Sequence, residues 1–239
     1  MVFNSLTFAV YLAIVLLLHS LPFSWRVKKV NLLVASYLFY AAWNPPFIIL
    51  LWISTVVDWW AANRIAHASN PWRRRAWMLT SVCLNLGMLG WFKYGEFLLA
   101  NFQALAATVG IDYQPPAFDI VLPVGISFYT FATMSYTLDV YLRRAEPTPR
   151  MLDFALFVTF FPHLVAGPIM RPTELVPQFE QPRRASMDQL RFGLALMTLG
   201  LFQKVVLADG FLAAPAEQVY DNTMAPGALD AWFGTLAFS

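Results

Sequence analysis

Residues 152–171 read L-D-F-A-L-F-V-T-F-F-P-H-L-V-A-G-P-I-M-R, and the way this stretch meets a membrane decides the fold. It is apolar and just long enough for one helical crossing, which takes about 20 residues. Yet it carries His163, and Pro162 and the Gly167-Pro168 pair interrupt it. Arg143, Arg144 and Arg150 precede it, and Arg171, Arg183 and Arg184 follow. Lys and Arg accumulate in cytoplasmic loops. Both flanks therefore belong on one face, which forbids a single crossing, and the stretch is too short for two. The solution left is a re-entrant segment that enters, breaks at its prolines and leaves by the same side. Broken backbone at membrane depth survives only inside protein or along a wet cavity. The reading predicts such a cavity beside His163, the place to look for chemistry.

Composition agrees with lipid as the solvent. The chain has 239 residues, 59% hydrophobic and 13% charged, about half the charge of a soluble domain. Nine Trp suit interfacial aromatic belts. All but Lys93 and Lys204 of the 16 basic residues fall in four patches, at 26–29, 64–75, 143–150 and 171–191. That is a pattern of cytoplasmic loops, not the continuous basic face a nucleic-acid partner requires. Cys83 is the single cysteine; it reads as a small buried hydrophobe. The N-terminus lacks a basic region and a cleavage site, so it reads as a first span and not a signal peptide.

Working outward, the expected class is all-α, a polytopic transmembrane helix bundle with a re-entrant, proline-broken segment. Leu6 to Phe23 crosses inward and is pinned by Arg26, Lys28 and Lys29, which puts the N-terminus outside. Val30 to Trp43 returns, Asn44-Pro45-Pro46 turns, and Phe47 to Val57 comes back, with Asp58, Trp59 and Trp60 at the inner interface. Ala76 to Phe92 crosses outward, Phe97 to Val109 lies at the outer interface, and Asp112 to Asp119 is a loop. Ile120 to Leu142 crosses inward, with Asp139 and Arg143 spaced for an i,i+4 ion pair. Pro172 to Pro182 reads as a cytoplasmic loop. Ser186 with Gln189 forms a capping box opening a helix to about Leu207. Pro215 to Gly227 is an outer loop, and Leu229 to Phe238 begins a further apolar segment.

Several ordered pieces resemble the membrane-bound O-acyltransferase family, in its alginate O-acetyltransferase branch. They are M-V-F-N-S-L-T-F at the start, N-L-L-V-A-S-Y-L-F-Y-A-A-W at 31–43, W-F-K-Y at 91–94 and L-P-V-G-I-S-F-Y-T-F at 122–131. S-Y-T-L-D-V-Y at 135–141, F-P-H-L-V-A-G-P-I at 161–169 and G-L-F-Q-K-V-V-L-A-D-G at 200–210 complete the set. The resemblance implies a single membrane domain of which residues 1–239 are the N-terminal part. It implies acetyl-CoA as donor, an exported polysaccharide such as alginate as acceptor, and a periplasmic acetyltransferase partner. It implies a multi-pass protein of the bacterial inner membrane. The histidine the family holds essential would lie beyond Ser239, so the fragment alone is expected to be inactive.

Acyl transfer to a hydroxyl needs a base and a group that steadies the oxyanion. Of the three histidines, His19 reads as interfacial and His67 as solvated; His163 alone sits in the broken segment. It is expected to line the cavity rather than act as the base, or to bond carbonyls freed by Pro162 and Pro168. Ser127, Tyr129, Thr130, Thr133, Ser135, Tyr136 and Thr137 form a hydroxyl-rich run. It reads equally as a cavity wall, with Tyr129 and Tyr136 as substrate contacts, or as interhelical hydrogen bonding. Arg171 reads as a contact to donor phosphates or as a headgroup anchor. Pro162, Gly167 and Pro168 make the structural break. No metal-ligand spacing appears. A non-enzymatic scaffold or transporter subunit of a polysaccharide export complex is the alternative.

Overall fold

The computed structural model describes residues 3–111, 113, 121–165, 167–168, 170–182, 185–221 and 227–238, and every regular element among them is helical. The chain divides into two units, one of residues 10–182 and the other of residues 2–9 and 183–239. Among the described residues two helices are long and apolar enough to cross a membrane, Pro45–His67 and Met187–Tyr220. The exposed surface is itself apolar: Leu6 is 81% exposed, Ile49 63% and Phe192 66%. Such faces suit lipid.

α1 spans Leu6–Ser20 and belongs to the first unit from Val10 onward; that unit also holds α2 at Trp25–Ala41, α3 at Ile48–His67, α4 at Pro71–Thr108 and α5 at Ile126–Tyr141. Then come α6 at Met151–Thr159, α7 at Phe161–Leu164 and α8 at Pro172–Glu180. Pro45–Phe47 form the expected turn, a single 3-10 turn with its proline at the start. Lipid offers no hydrophobic drive for one helix to leave it for another, so packing and polar contacts must hold the bundle. The buried core of Tyr40, Leu51, Ile65, Tyr129, Tyr136, Phe154 and Phe157 supplies the packing.

A buried polar network supplies the rest. The Asp58 carboxylate of α3 accepts from the Ser81 hydroxyl of α4 and from Asn85 Nδ2 at 2.7 Å. Ser54 donates to Asn85 Oδ1 at 2.8 Å and lies 3.1 Å from Thr133 Oγ1 of α5. All five residues are buried. Asp58 therefore belongs to the core and not to the inner interface, because three neighbouring polar side chains replace its water. Bonds of this kind are worth about 0.6 kcal/mol each on average.

Several boundaries differ from expectation. Phe97 to Val109 is no separate interfacial element: α4 runs unbroken for 38 residues, about 57 Å. Pro172 to Pro182 is not a loop, because Leu175, Val176 and Phe179 bury one face of α8 while Pro177 lies on its exposed side. α5 starts only at Ile126, after Gly125 takes φ +74°. The loop expected over Asp112 to Asp119 lies, apart from Tyr113, outside the described residues. Asp139 and Arg143 form no ion pair, since α5 ends at Tyr141 and Arg143 turns to φ 59°. Cys83 is exposed on α4, facing outward instead of into the core.

In the second unit the Ser186/Gln189 capping box is present in both directions. It opens α9, Met187–Phe202, which passes through a π-helical segment, Gln203–Leu212, into α10, Ala213–Tyr220. Pro215 is thus helical and not in a loop. The Lys204 and Asp209 side chains pair across the π segment. α11, Ala228–Phe238, packs on α10 where Gly234 meets Val219.

Candidate functional site

The site is built around the end of α6. That helix has nine residues, about 14 Å, against roughly 30 Å of hydrocarbon. It cannot continue, because Pro162 has no N–H to give and its ring crowds the preceding turn. Phe160 leaves the helix at ψ 110°. The Phe161 N–H set free by this turn donates to Ser36 Oγ of α2 at 3.2 Å. A neighbouring helix thus replaces the bond that the break removes.

Both limbs of the break return to one end of α2. Lys29, one turn into α2, forms a buried ion pair with Asp153 in the first turn of α6. On the other limb, Trp25 Nε1 donates to the carbonyl oxygen of Phe179 at 2.7 Å. Ser36 lies seven residues beyond Lys29, about 10 Å along the helix. The chain therefore climbs from Asp153 to the break and comes back beside Trp25. Arg64, Arg73 to Arg75, Arg143 and Arg144 gather at this same end, since Trp59 Nε1 donates to the Thr148 carbonyl and Arg74 to that of Tyr141.

Two glycines fix the position of His163. A Cβ on Gly167 would lie 2.4 Å from His163 Cα and 2.5 Å from its Cβ. The Gly167 N–H donates to the His163 carbonyl at 3.1 Å, closing the turn. On the facing helix a Cβ on Gly125 would stand 2.8 Å from the carbonyl oxygen of Leu164.

Between α5 and the break is a cavity lined by Tyr129, Ala132, Val158, His163 and Pro168, with about 10 Å³ of free space. That is room for about one water-sized group. Tyr129 is 1% exposed, and its hydroxyl has no hydrogen-bond partner among the described residues. Leaving such a group unsatisfied costs about 1–3 kcal/mol. His163 and Tyr129 thus both line one small space.

Of the residues singled out in the sequence, the structure brings His163, Tyr129 and Pro168 together. Pro162 and Gly167 shape the break. Tyr136 lies apart: its hydroxyl accepts the Thr148 N–H at 2.8 Å and its ring packs on Phe154 at 4.4 Å. Arg171 is exposed at the start of α8 and does not line the cavity. His67 is exposed as expected, and His19 is part-buried with its ring against Trp25. Sequence reasoning missed Ser36, the Lys29–Asp153 pair and the Asp58 network. Ser54/Asp58 and Ser81/Asn85, polar pairs four apart on apolar helices, were the signal for the last.

Known proteins are similar to this sequence. A probable alginate O-acetylase of Pseudomonas aeruginosa is 38% identical over 216 residues, which is 90% of this chain and 41% of that protein. Its counterpart in Pseudomonas putida is 37% identical over 243 residues, 100% of this chain and 49% of that protein. Over most of its length the chain is therefore similar to proteins named alginate O-acetylases. A peptidoglycan O-acetyltransferase of Helicobacter pylori is also similar, 31% identical over 237 residues, 88% of this chain and 44% of that protein. The chain spans less than half the length of each of these three proteins. No protein-family model and no solved structure matches it.

Proposed function

We propose that this chain is part of a membrane O-acyltransferase that moves an acetyl group from cytoplasmic acetyl-CoA towards an exported polysaccharide such as alginate. The hydroxyl of the acceptor attacks the thioester carbonyl, loses its proton to a base, and the coenzyme A thiol leaves. One observation carries the reading: a proline-broken hairpin brings His163 to the same small cavity as Tyr129, in a chain similar to proteins named O-acetylases. The arginine-rich end is the cytoplasmic one, so the hairpin is re-entrant from the donor side. The protein is then multi-pass in the bacterial inner membrane with its N-terminus outside. His163 and Tyr129 contact the acyl donor, and Arg171 meets its phosphates or the headgroups around it. Tyr136 supports this wall through Thr148 instead of touching substrate. The acceptor hydroxyl belongs to the polysaccharide or to a periplasmic acetyltransferase, which in the second case passes the acetyl group on to the polysaccharide.

The test is acetyl transfer from labelled acetyl-CoA by the full-length protein in inverted membrane vesicles. His163→Ala and Tyr129→Phe should each lower transfer by at least tenfold with the protein still folded. Unchanged transfer in both variants removes the cavity from the mechanism. No transfer by the unsubstituted protein would favour the export-scaffold alternative. Single cysteines at positions 70, 148 and 178 should label only from the cytoplasmic side.

A further inference from the structure

We propose that a second pocket, at the arginine-rich end of the first unit, binds the phosphate headgroup of an anionic phospholipid. This pocket of about 230 Å³ lies where α3 ends, α4 begins and α5 ends, and Arg74, Arg143, Val140 and Glu146 line it. Basic pockets between helix ends are where anionic headgroups settle.

Arg74 is preset for the task. It donates to the Tyr141 carbonyl oxygen at 2.7 Å and lies over the Tyr141 ring at 5.5 Å. That leaves further N–H groups of its planar fork for a phosphate. Arg143 is held at φ 59°, the one non-glycine residue with positive φ among those described. Such a conformation is costly for a side chain with a Cβ. Glu146 also lines the pocket, but no ion pair joins it to either arginine.

The local field is unbalanced. The first turn of α4 carries Arg73, Arg74 and Arg75 and no acid. A helix N-terminus is the positive end of its dipole, so these charges add to it instead of cancelling it. Among the described residues no carboxylate pairs with any of them, nor with Arg64 or Arg144. An anion relieves this repulsion.

Apolar residues next to the pocket's arginines in sequence favour a lipid over a free phosphate. Trp72 is 77% exposed and Leu142 51% exposed beside the arginines, and Arg64 lies over the Trp60 ring at 5.1 Å. Aromatic and aliphatic groups in this position suit a ligand whose phosphate continues into acyl chains.

The experiment measures lipid retention by native mass spectrometry and thermal stability of the full-length protein. Phosphatidylglycerol, phosphatidylcholine, inorganic phosphate and coenzyme A are supplied in separate arms. Phosphatidylglycerol should be retained and raise Tm, and the other three should not. Arg143→Gly is the informative variant, because glycine accepts the positive φ without strain, so the guanidinium and its stem are lost while the backbone turn is kept. It should weaken phosphatidylglycerol retention about fivefold, the worth of one basic side chain near an anionic surface. Arg75→Ala, which removes a charge from the same end outside the pocket, should weaken it less. Equal retention of the two lipids overturns the proposal. So does equal loss in both variants, undiminished retention in Arg143→Gly, or a matching Tm rise with phosphate or coenzyme A alone.

Discussion

Replacing Gly167 by alanine tests whether the break holds His163 in place. The added methyl would stand 2.4 Å from His163 Cα and 2.5 Å from His163 Cβ. Carbon atoms rest about 3.5–4.0 Å apart, so the turn must open by roughly 1 Å. Neither contact is the far end of a flexible side chain, so backbone has to move. Overpacking of this kind costs about 1–3 kcal/mol. Displacing a substrate-positioning group by about 1 Å can cost 10²-fold in rate. We therefore expect Gly167→Ala to lower acetyl transfer by about two orders of magnitude and Tm by several degrees. Gly87→Ala is the control: nothing lies within 4 Å of a Cβ there, and α4 should gain up to about 1 kcal/mol. Transfer assayed in inverted vesicles and Tm in detergent give the two readouts. A Gly167→Ala protein that matches Gly87→Ala in both would refute the close approach of Gly167 to His163.

Three further outcomes follow from the same contacts. Lys29→Met should destabilise by about 3–5 kcal/mol, because it strands Asp153 in a buried site; adding Asp153→Leu should recover most of this in a chemical-unfolding titration. Ser36→Ala removes the acceptor of the Phe161 N–H and should cost about 1–3 kcal/mol, with faster hydrogen exchange confined to the break; unchanged exchange would count against that bond. Ser81→Ala takes a donor from the Asp58 carboxylate, and a fall in Tm is expected, whereas Ser81→Thr, which keeps the hydroxyl, should fall less.

The hairpin was legible because its signals are local. Two prolines, a histidine and arginines on both flanks lie within about thirty residues, and each restricts the backbone or its side of the membrane by itself. The same holds for the Ser186 capping box. What escaped notice was set by distance along the chain. Lys29 and Asp153 are 124 residues apart, so Lys29 read as one more member of a basic patch. Asp58 read as interfacial because it stands next to Trp59, Trp60 and Arg64; only the arrival of Ser81, Asn85 and Thr133 from two other helices makes a core position habitable for it. Tyr129 and Tyr136 are indistinguishable in sequence, seven apart on one face. Their partners separate them, since Thr148 claims the second hydroxyl and nothing described claims the first. The continuity of α4 past Phe97 and the helical state of α8 depended on burial, which periodicity in a mostly apolar chain does not reveal.

The ion pair at the foot of the hairpin also bears on how the protein is made. Asp153 finds its counter-charge on a helix synthesised long before it, and so does the peptide group exposed at Phe161. A nascent hairpin arriving at the bilayer alone would carry both as naked polar groups. α2 therefore has to be in place before residues 153–161 can be buried.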